Sequence, residues 1–160
     1  MKKAGKFILL FLTVACLAFI FSNSLQSSTR SSAQSGRVVQ FVSDLYEALT
    51  GKLLHPDRIT YAIRKLAHFL EFALLGFLGT SSLASFFGRV RGRAHVLLFW
   101  GLAVAVTDEF IQRFSRGRSP QVSDITLDFC GFLLGFALAW LISALLARKR
   151  RKYELGVSVD

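Results

Sequence analysis

The stretch ITLDFCGFLLGFALAWLISALLA, which runs from Ile125 to Ala147, decides the fold class of this protein. It contains one charged residue, Asp128, and as a helix it is long enough to cross the ~30 Å hydrocarbon core of a bilayer. The chain as a whole is 52% hydrophobic, and its apolar residues are concentrated in blocks rather than dispersed as in a soluble domain. The stretch therefore predicts a membrane-spanning helix.

Three further apolar runs precede it, and we assign spans to residues 7–25, 64–87, 95–114 and 125–147. The first run follows a basic start and resembles a signal peptide, but no small-residue cleavage site follows it, so we expect an uncleaved anchor. A chain of 160 residues then has room for a single membrane domain, residues 1–160. The predicted fold is all-α, an integral membrane four-helix bundle.

The basic residues predict the orientation of this bundle. The formal net charge is +10, and more than half of the 20 Lys and Arg residues lie at the N-terminus, in the loop 88–93 and in a basic tail, residues 148–160. Because Lys and Arg directly beside span ends favour the cytoplasm, we expect both termini to be cytoplasmic. The same distribution argues against a nucleic-acid partner, since the charge flanks apolar runs instead of forming one basic face.

The segment between the first two spans predicts an additional helix. From Ser35 to Leu49 the apolar residues recur on one helical face, and Gly51 can end the helix. They are Val38, Phe41, Val42, Leu45 and Leu49. We expect an extracytoplasmic amphipathic helix that lies on the bilayer surface or covers the bundle. The Ser-rich residues 22–35 before it predict a loop.

Polar side chains interrupt the apolar spans at one end only. Arg64, His68 and Glu71 are spaced i, i+4 and i+7, so they share one face of span two, whereas Lys65 is predicted to point away from it. In span three the polar residues are Asp108, Glu109 and Gln112. If all four segments span, both groups lie on the same side of the membrane.

Span four continues this pattern. Asp124 and Asp128 begin a stripe that continues through Gly131 and Gly135, a G-x-x-x-G pattern that permits close approach of another helix. The short loop before it carries Arg116 and Arg118, which can pair with the carboxylates or hold an anion such as phosphate. Since ionisable groups are costly at bilayer depth, we expect all these residues to form one polar site facing outward.

Several of these segments, in this order, resemble the VanZ-like family of bacterial membrane proteins. The segments are Phe21–Gln26 (FSNSLQ), Arg64–Glu71 (RKLAHFLE), Thr107–Gln112 (TDEFIQ), Gly117–Arg118 and Ser123–Asp128 (SDITLD), with Gly131 and Gly135. One departure is Ile111, which stands where family members often have His. The resemblance implies a multi-pass protein of the bacterial cytoplasmic membrane, acting in the cell envelope and linked to resistance against teicoplanin-type glycopeptides.

Three functions for the polar site remain open on the sequence. In one, arginines bind an anionic envelope component such as an anionic lipid or a cell-wall precursor, with the lipid bilayer as the other partner. In a second, the protein is a membrane-embedded enzyme that acts on a lipid-linked envelope substrate: His68 acts as a base, or His68 and Glu71 hold a metal whose site Asp108, Asp124 or Asp128 completes. In a third, the polar network only fixes the packing of the helices. We find no motif for an organic cofactor and expect none.

Overall fold

The computed structural model describes residues 3–53, 56–88 and 90–154. These residues form five α-helices and no strand. The helices are α1 (Lys3–Ser24), α2 (Ser28–Thr50), α3 (Pro56–Phe87), α4 (Ala94–Gln112) and α5 (Val122–Glu154), with a 3₁₀ turn, Arg91–Arg93, before α4. The all-α prediction is confirmed.

Four of the five helices are long and apolar enough to cross a membrane, and each corresponds to one predicted span. The candidate spans are Lys3–Ser24, Ile59–Phe87, Ala94–Gln112 and Val122–Arg148. α3 begins earlier than predicted, at Pro56, a residue that fits the first turn of a helix because its missing N–H is not needed there. α5 continues into the predicted basic tail as far as Glu154, since Lys, Arg and Glu favour helix. Residues 155–160 of that tail lie outside the described part of the chain.

Consecutive spans run in opposite directions, so their polar ends meet. At one end of the bundle the Phe7 ring of α1 packs edge-on against Phe86 near the end of α3, with centroids 5.9 Å apart. At the other end the last residue of α1, Ser24, contacts Asp108 near the end of α4. The start of α3 and the start of α5 lie at this second end as well, which places all three predicted polar groups together.

Glycines bring α3 and α5 into direct backbone contact. A Cβ atom added to Gly131 would lie 2.3 Å from the Phe69 carbonyl oxygen, and one added to Gly135 would lie 1.8 Å from that of Ala73. From the opposite helix, a Cβ atom on Gly76 would lie 2.2 Å from the carbonyl oxygen of Phe132. The predicted close approach at the G-x-x-x-G pattern is therefore confirmed, and α3 is the helix that approaches.

The apolar core fills the middle of the bundle below the polar end. It is built around Ile20, Phe72, Leu75, Ala105 and Phe132, all of them fully buried. Because this core packs all four spans together, it holds the polar ends of the helices in a defined register.

α2 is longer than the sequence predicts. It begins at Ser28, and only residues 25–27 separate it from α1, so the predicted loop over residues 22–35 is wrong. No proline interrupts this segment, and α2 gains tertiary support by packing against α3. Its predicted apolar face is left uncovered by the protein: Phe41 and Leu49 are 67% and 76% exposed.

Candidate functional site

Asp108 lies at the centre of the polar end of the bundle. Its side chain is completely buried, one turn before the end of α4. Oδ1 accepts a hydrogen bond of 2.6 Å from Ser24 Oγ, and Oδ2 accepts one of 2.9 Å from Gln112 Nε2. The carboxylate thus joins α1 to α4 and is held in one orientation by two donors.

The end of α1 is a part of the site that the sequence prediction missed. Asn23 Nδ2 donates to Glu71 Oε1 at 3.0 Å, and the Asn23 carbonyl accepts a bond of 3.1 Å from Arg118 Nη2. Ser115 Oγ donates to the Ser24 carbonyl at 2.7 Å. The one signal in the sequence was the Ser-Asn-Ser run directly after an apolar segment, where polar side chains can reach groups on neighbouring helices.

His68 lies between two buried carboxylates. Its Nδ1 atom is 3.9 Å from Asp108 Oδ2 and 3.9 Å from Asp128 Oδ1. Both distances exceed a hydrogen bond, so the ring faces two acceptors without binding either directly. The three side chains come from α3, α4 and α5, and only the tertiary structure brings them together.

Lys65 is placed differently from the prediction. Instead of pointing away from the polar face, its Nζ forms an ion pair with Asp124 Oδ1 on α5. The same ammonium lies 4.8 Å from the centre of the Tyr61 ring. The sequence prediction failed because α5 packs so closely against α3 that its first turn also covers the flank of the α3 polar face. Asp124 is therefore neutralised by a lysine, not by an arginine of the loop.

Glu109 anchors the loop between α4 and α5. It is 4% exposed, and its Oε1 accepts a hydrogen bond of 2.6 Å from the backbone N–H of Gln121. Because Gln121 directly precedes α5, this bond fixes where that helix begins. Glu109 thereby positions the end of the loop that leads into α5.

The two loop arginines have opposite surroundings. Arg116 is exposed, so it does not join the cluster that the other predicted site residues form. Arg118 is half-buried and turns inward toward Asn23. Burial, and the nearby positive charge of Arg64, lower the pKa of the Arg118 guanidinium from its ordinary value.

A cavity of about 230 Å³ opens at this end of the bundle. Its lining includes cationic, anionic and neutral polar side chains together with the aromatic ring of Tyr61. The lining residues are Tyr61, Arg64, Lys65, His68, Gln112, Gly117, Arg118, Ser119, Gln121, Asp124, Leu127 and Asp128. Tyr61, Lys65 and Gln121 were not among the predicted site residues.

Several polar atoms around this cavity are buried without a hydrogen-bond partner in the described part of the chain. On the cationic side they are Arg64 Nε, Arg118 Nε and Arg118 Nη1; on the other side His68 Nδ1, one oxygen each of Glu71 and Glu109, and both oxygens of Asp128. Buried polar groups are normally paired. The unpaired donors suit an anion, and the unpaired carboxylate suits a cation.

Comparison with known families supports the membrane assignment. The family model described as VanZ/LLP1 matches residues 7–143, which include two complete spans, most of the first and fourth spans, and every residue of the polar cluster. No curated protein and no solved structure shows a significant match to the chain.

Proposed function

The chain belongs to the VanZ/LLP1 family, and on that premise we propose that it acts in the bacterial cell envelope by binding an anionic component in the cavity at its polar end. The protein is a multi-pass membrane protein of the VanZ type. In this proposal it works as one domain in the cytoplasmic membrane, with the cavity facing outward. Binding there alters sensitivity to teicoplanin-type glycopeptides.

The proposal rests on two arginines at the cavity that have no carboxylate partner in the described part of the chain. Among the described residues, neither Arg64 nor Arg118 forms an ion pair with a carboxylate, and three of their nitrogen atoms are buried without a partner. A guanidinium presents a planar fork of donors that matches a phosphate or carboxylate. Two such forks at one cavity indicate an anionic group as the ligand.

Four of the five carboxylates at the polar end have donors other than the arginines, and Asp128 has none among the described residues. Glu71 accepts from Asn23, Asp108 from Ser24 and Gln112, and Glu109 from the Gln121 backbone. Asp124 is paired with Lys65. These carboxylates are thus held by other donors, so the arginines keep unpaired N–H groups at the cavity.

The dimensions of the cavity limit the class of ligand. At about 230 Å³ it is smaller than the ~300–1,000 Å³ of a typical pocket for drug-sized molecules. It suits a phosphate or a small head group, with the remainder of a lipid or cell-wall precursor outside. A lipid-linked phosphate fits this description because its apolar part stays in the bilayer.

The outward orientation is supported by the basic flanks at the opposite end of the bundle. The N-terminus, the loop before α4 and the basic residues after Ala147 carry 11 of the 20 Lys and Arg residues, directly beside the span ends. Such clusters favour the cytoplasm, which leaves the polar end of the bundle on the outer side. A ligand of the outer leaflet or of the cell wall then has direct access.

Teicoplanin susceptibility of cells that express Arg118→Lys tests this function. Lysine keeps the charge but loses the planar fork, so we expect loss of protection, with the protein at its normal abundance in the membrane. Arg116→Lys is the matched control, because Arg116 is exposed in the same loop, and it should behave as wild type.

Binding of short-chain phosphatidic acid to the purified protein provides the second readout. Wild type and Arg116→Lys should bind it, and Arg118→Lys should bind about tenfold or more weakly, equivalent to ~1.4 kcal/mol. Equal protection and equal binding by all three proteins would overturn the proposal. Protection that falls only in step with abundance would instead favour a purely structural network.

A further inference from the structure

One histidine and two aspartates form a compact group beside the cavity. One ring nitrogen of His68, an oxygen of Asp108 and an oxygen of Asp128 all lie within 4.8 Å of one another. They come from three helices that the core holds together, so their spacing is set by the fold rather than by a flexible loop. Imidazole and carboxylate are both ligands of divalent metals.

Asp128 is the member of this group that most requires a partner. It is 1% exposed, and both of its carboxylate oxygens are buried without a hydrogen-bond donor in the described part of the chain. An isolated buried carboxylate costs several kcal/mol unless a cation or a donor stabilises it. The group that faces it, His68 Nδ1, is itself unpaired.

Direct pairing of these groups does not satisfy them. The 3.9 Å from His68 Nδ1 to each carboxylate is too long for a hydrogen bond, which ends near ~3.2 Å. Two ligands of a tetrahedral ion with ~2.1 Å bonds lie about 3.4 Å apart. Side-chain adjustments that shift each ligand atom by less than ~1 Å would therefore bring the three onto one ion.

The charges of the side chains at the polar end also favour a bound cation. Among the described side chains that are buried or half-buried there, five are carboxylates, Glu71, Asp108, Glu109, Asp124 and Asp128, and three are cationic, Arg64, Lys65 and Arg118. With neutral His68 and every carboxylate ionised, this cluster has two excess negative charges in a region of low dielectric constant. One divalent cation compensates both.

We propose that His68, Asp108 and Asp128 bind a divalent transition-metal ion of the Zn²⁺ or Mn²⁺ class. Three protein ligands leave a coordination position open. Since His68 and Asp128 line the cavity, that position faces the space that Arg64 and Arg118 also border. The hydrogen bonds from Ser24 and Gln112 orient Asp108, as outer-shell partners of metal ligands do.

This ligand set differs from the sequence prediction at Glu71. The prediction paired Glu71 with His68, because their spacing suits two ligands on one helix, and left Asp108, Asp124 or Asp128 to complete the site. In the structure Glu71 Oε1 is occupied by Asn23, and it does not belong to the three-residue group. Asp128 takes its place.

One part of the inference rests on the proposed function: an oxygen of the anionic ligand takes the open coordination position of the metal. A metal ion with two arginines beside it binds a phosphate more strongly than arginines alone, because it supplies two positive charges at one point. The metal site itself requires only the three ligands.

The test uses the full-length protein in detergent, stripped with a chelator and titrated with Zn²⁺ and, in parallel, with Mn²⁺. We expect wild type to bind about one equivalent of one of these ions, measured by calorimetry and by metal analysis after gel filtration. Asp128→Asn should bind at least about tenfold more weakly. Asp44→Asn, at an exposed carboxylate of α2 away from the polar end, is the control, and it should bind as wild type.

The absorption spectrum of bound Co²⁺ provides an independent readout of the ligands. Co²⁺ bound at the site should show absorption bands in wild type that change in His68→Gln, while helix content and gel-filtration profile stay those of a folded protein. Absence of stoichiometric metal in wild type, or equal affinity in Asp128→Asn and Asp44→Asn, would overturn the inference.

Titration with short-chain phosphatidic acid, with and without metal, separates this inference from the proposed function. Metal binding without any lipid binding would refute the proposed function and support the metal site. Lipid binding that depends on Arg118, in a protein that takes up no metal, would refute the metal site and support the proposed function.

Discussion

Ser24 on α1 donates a 2.6 Å hydrogen bond to Asp108 on α4, and both side chains are completely buried. The first and third spans meet through this bond at the polar end. Of the two donors that hold Asp108, Ser24 is the one from another helix. The bond therefore couples the packing of α1 to the orientation of the central carboxylate.

Ser24→Ala removes this bond and leaves Asp108 Oδ1 without its donor. Neutral side-chain bonds between membrane helices average ~0.6 kcal/mol, but a bond to a charged group contributes ~1.5–3 kcal/mol. We therefore expect a loss of about 1–2 kcal/mol in the free energy of unfolding, measured by denaturant titration in detergent micelles. Ser22→Ala, at an exposed position two residues earlier, is the control and should change it by less than ~0.5 kcal/mol. Equal effects would show that the bond adds no stability.

Gly135→Ala should disrupt the contact between α3 and α5. The added Cβ would lie 1.8 Å from the Ala73 carbonyl oxygen, and backbone on both sides cannot yield without separating the helices. Overpacking of this kind costs ~1–3 kcal/mol and sometimes more, so membrane abundance and thermal stability should fall clearly. Gly36→Ala in α2, where no atom lies within 4 Å of the added Cβ, should be neutral or slightly stabilising. An unchanged Gly135→Ala protein would contradict the close packing.

The uncovered apolar face of α2 should lie against the bilayer surface. A spin label at Phe41→Cys, in a protein without its native cysteines, should be accessible to oxygen and protected from a water-soluble nickel complex. A label at Glu47→Cys, on the opposite face of the helix, should show the reverse preference. Similar accessibility of both labels to the nickel complex would place the whole helix in water.

The two ends of the bundle should lie on opposite sides of the membrane. Ser119→Cys, beside the cavity, should react with a membrane-impermeant maleimide in intact cells. Gly92→Cys, in the basic 3₁₀ turn, should react only after the cells are permeabilised. Both positions are exposed in the structure, so their difference reports the side of the membrane. The reverse labelling pattern would place the cavity in the cytoplasm.

The sequence analysis was most successful where the signal is local. The four spans follow from apolar runs of sufficient length, and the close contact at Gly131 and Gly135 follows from small residues at helical spacing. It was wrong about residues 22–35 because a polar, Ser-rich composition does not prevent a helix that packs against a neighbour. It was also wrong about Lys65, whose partner lies on another helix.

The sequence by itself determined the class of the protein, the number of spans and the clustering of polar residues at one end. Run length and helical periodicity are properties of single segments, and the alternating direction of the spans follows from their number. Only the tertiary structure decided the partners: Ser24 for Asp108, Lys65 for Asp124, and His68 facing Asp128, with Arg118 inside the site and Arg116 outside. Partners depend on how each helix is rotated and how closely it approaches the next. That geometry is set by contacts between distant residues, such as Gly135 against Ala73, which no local pattern contains.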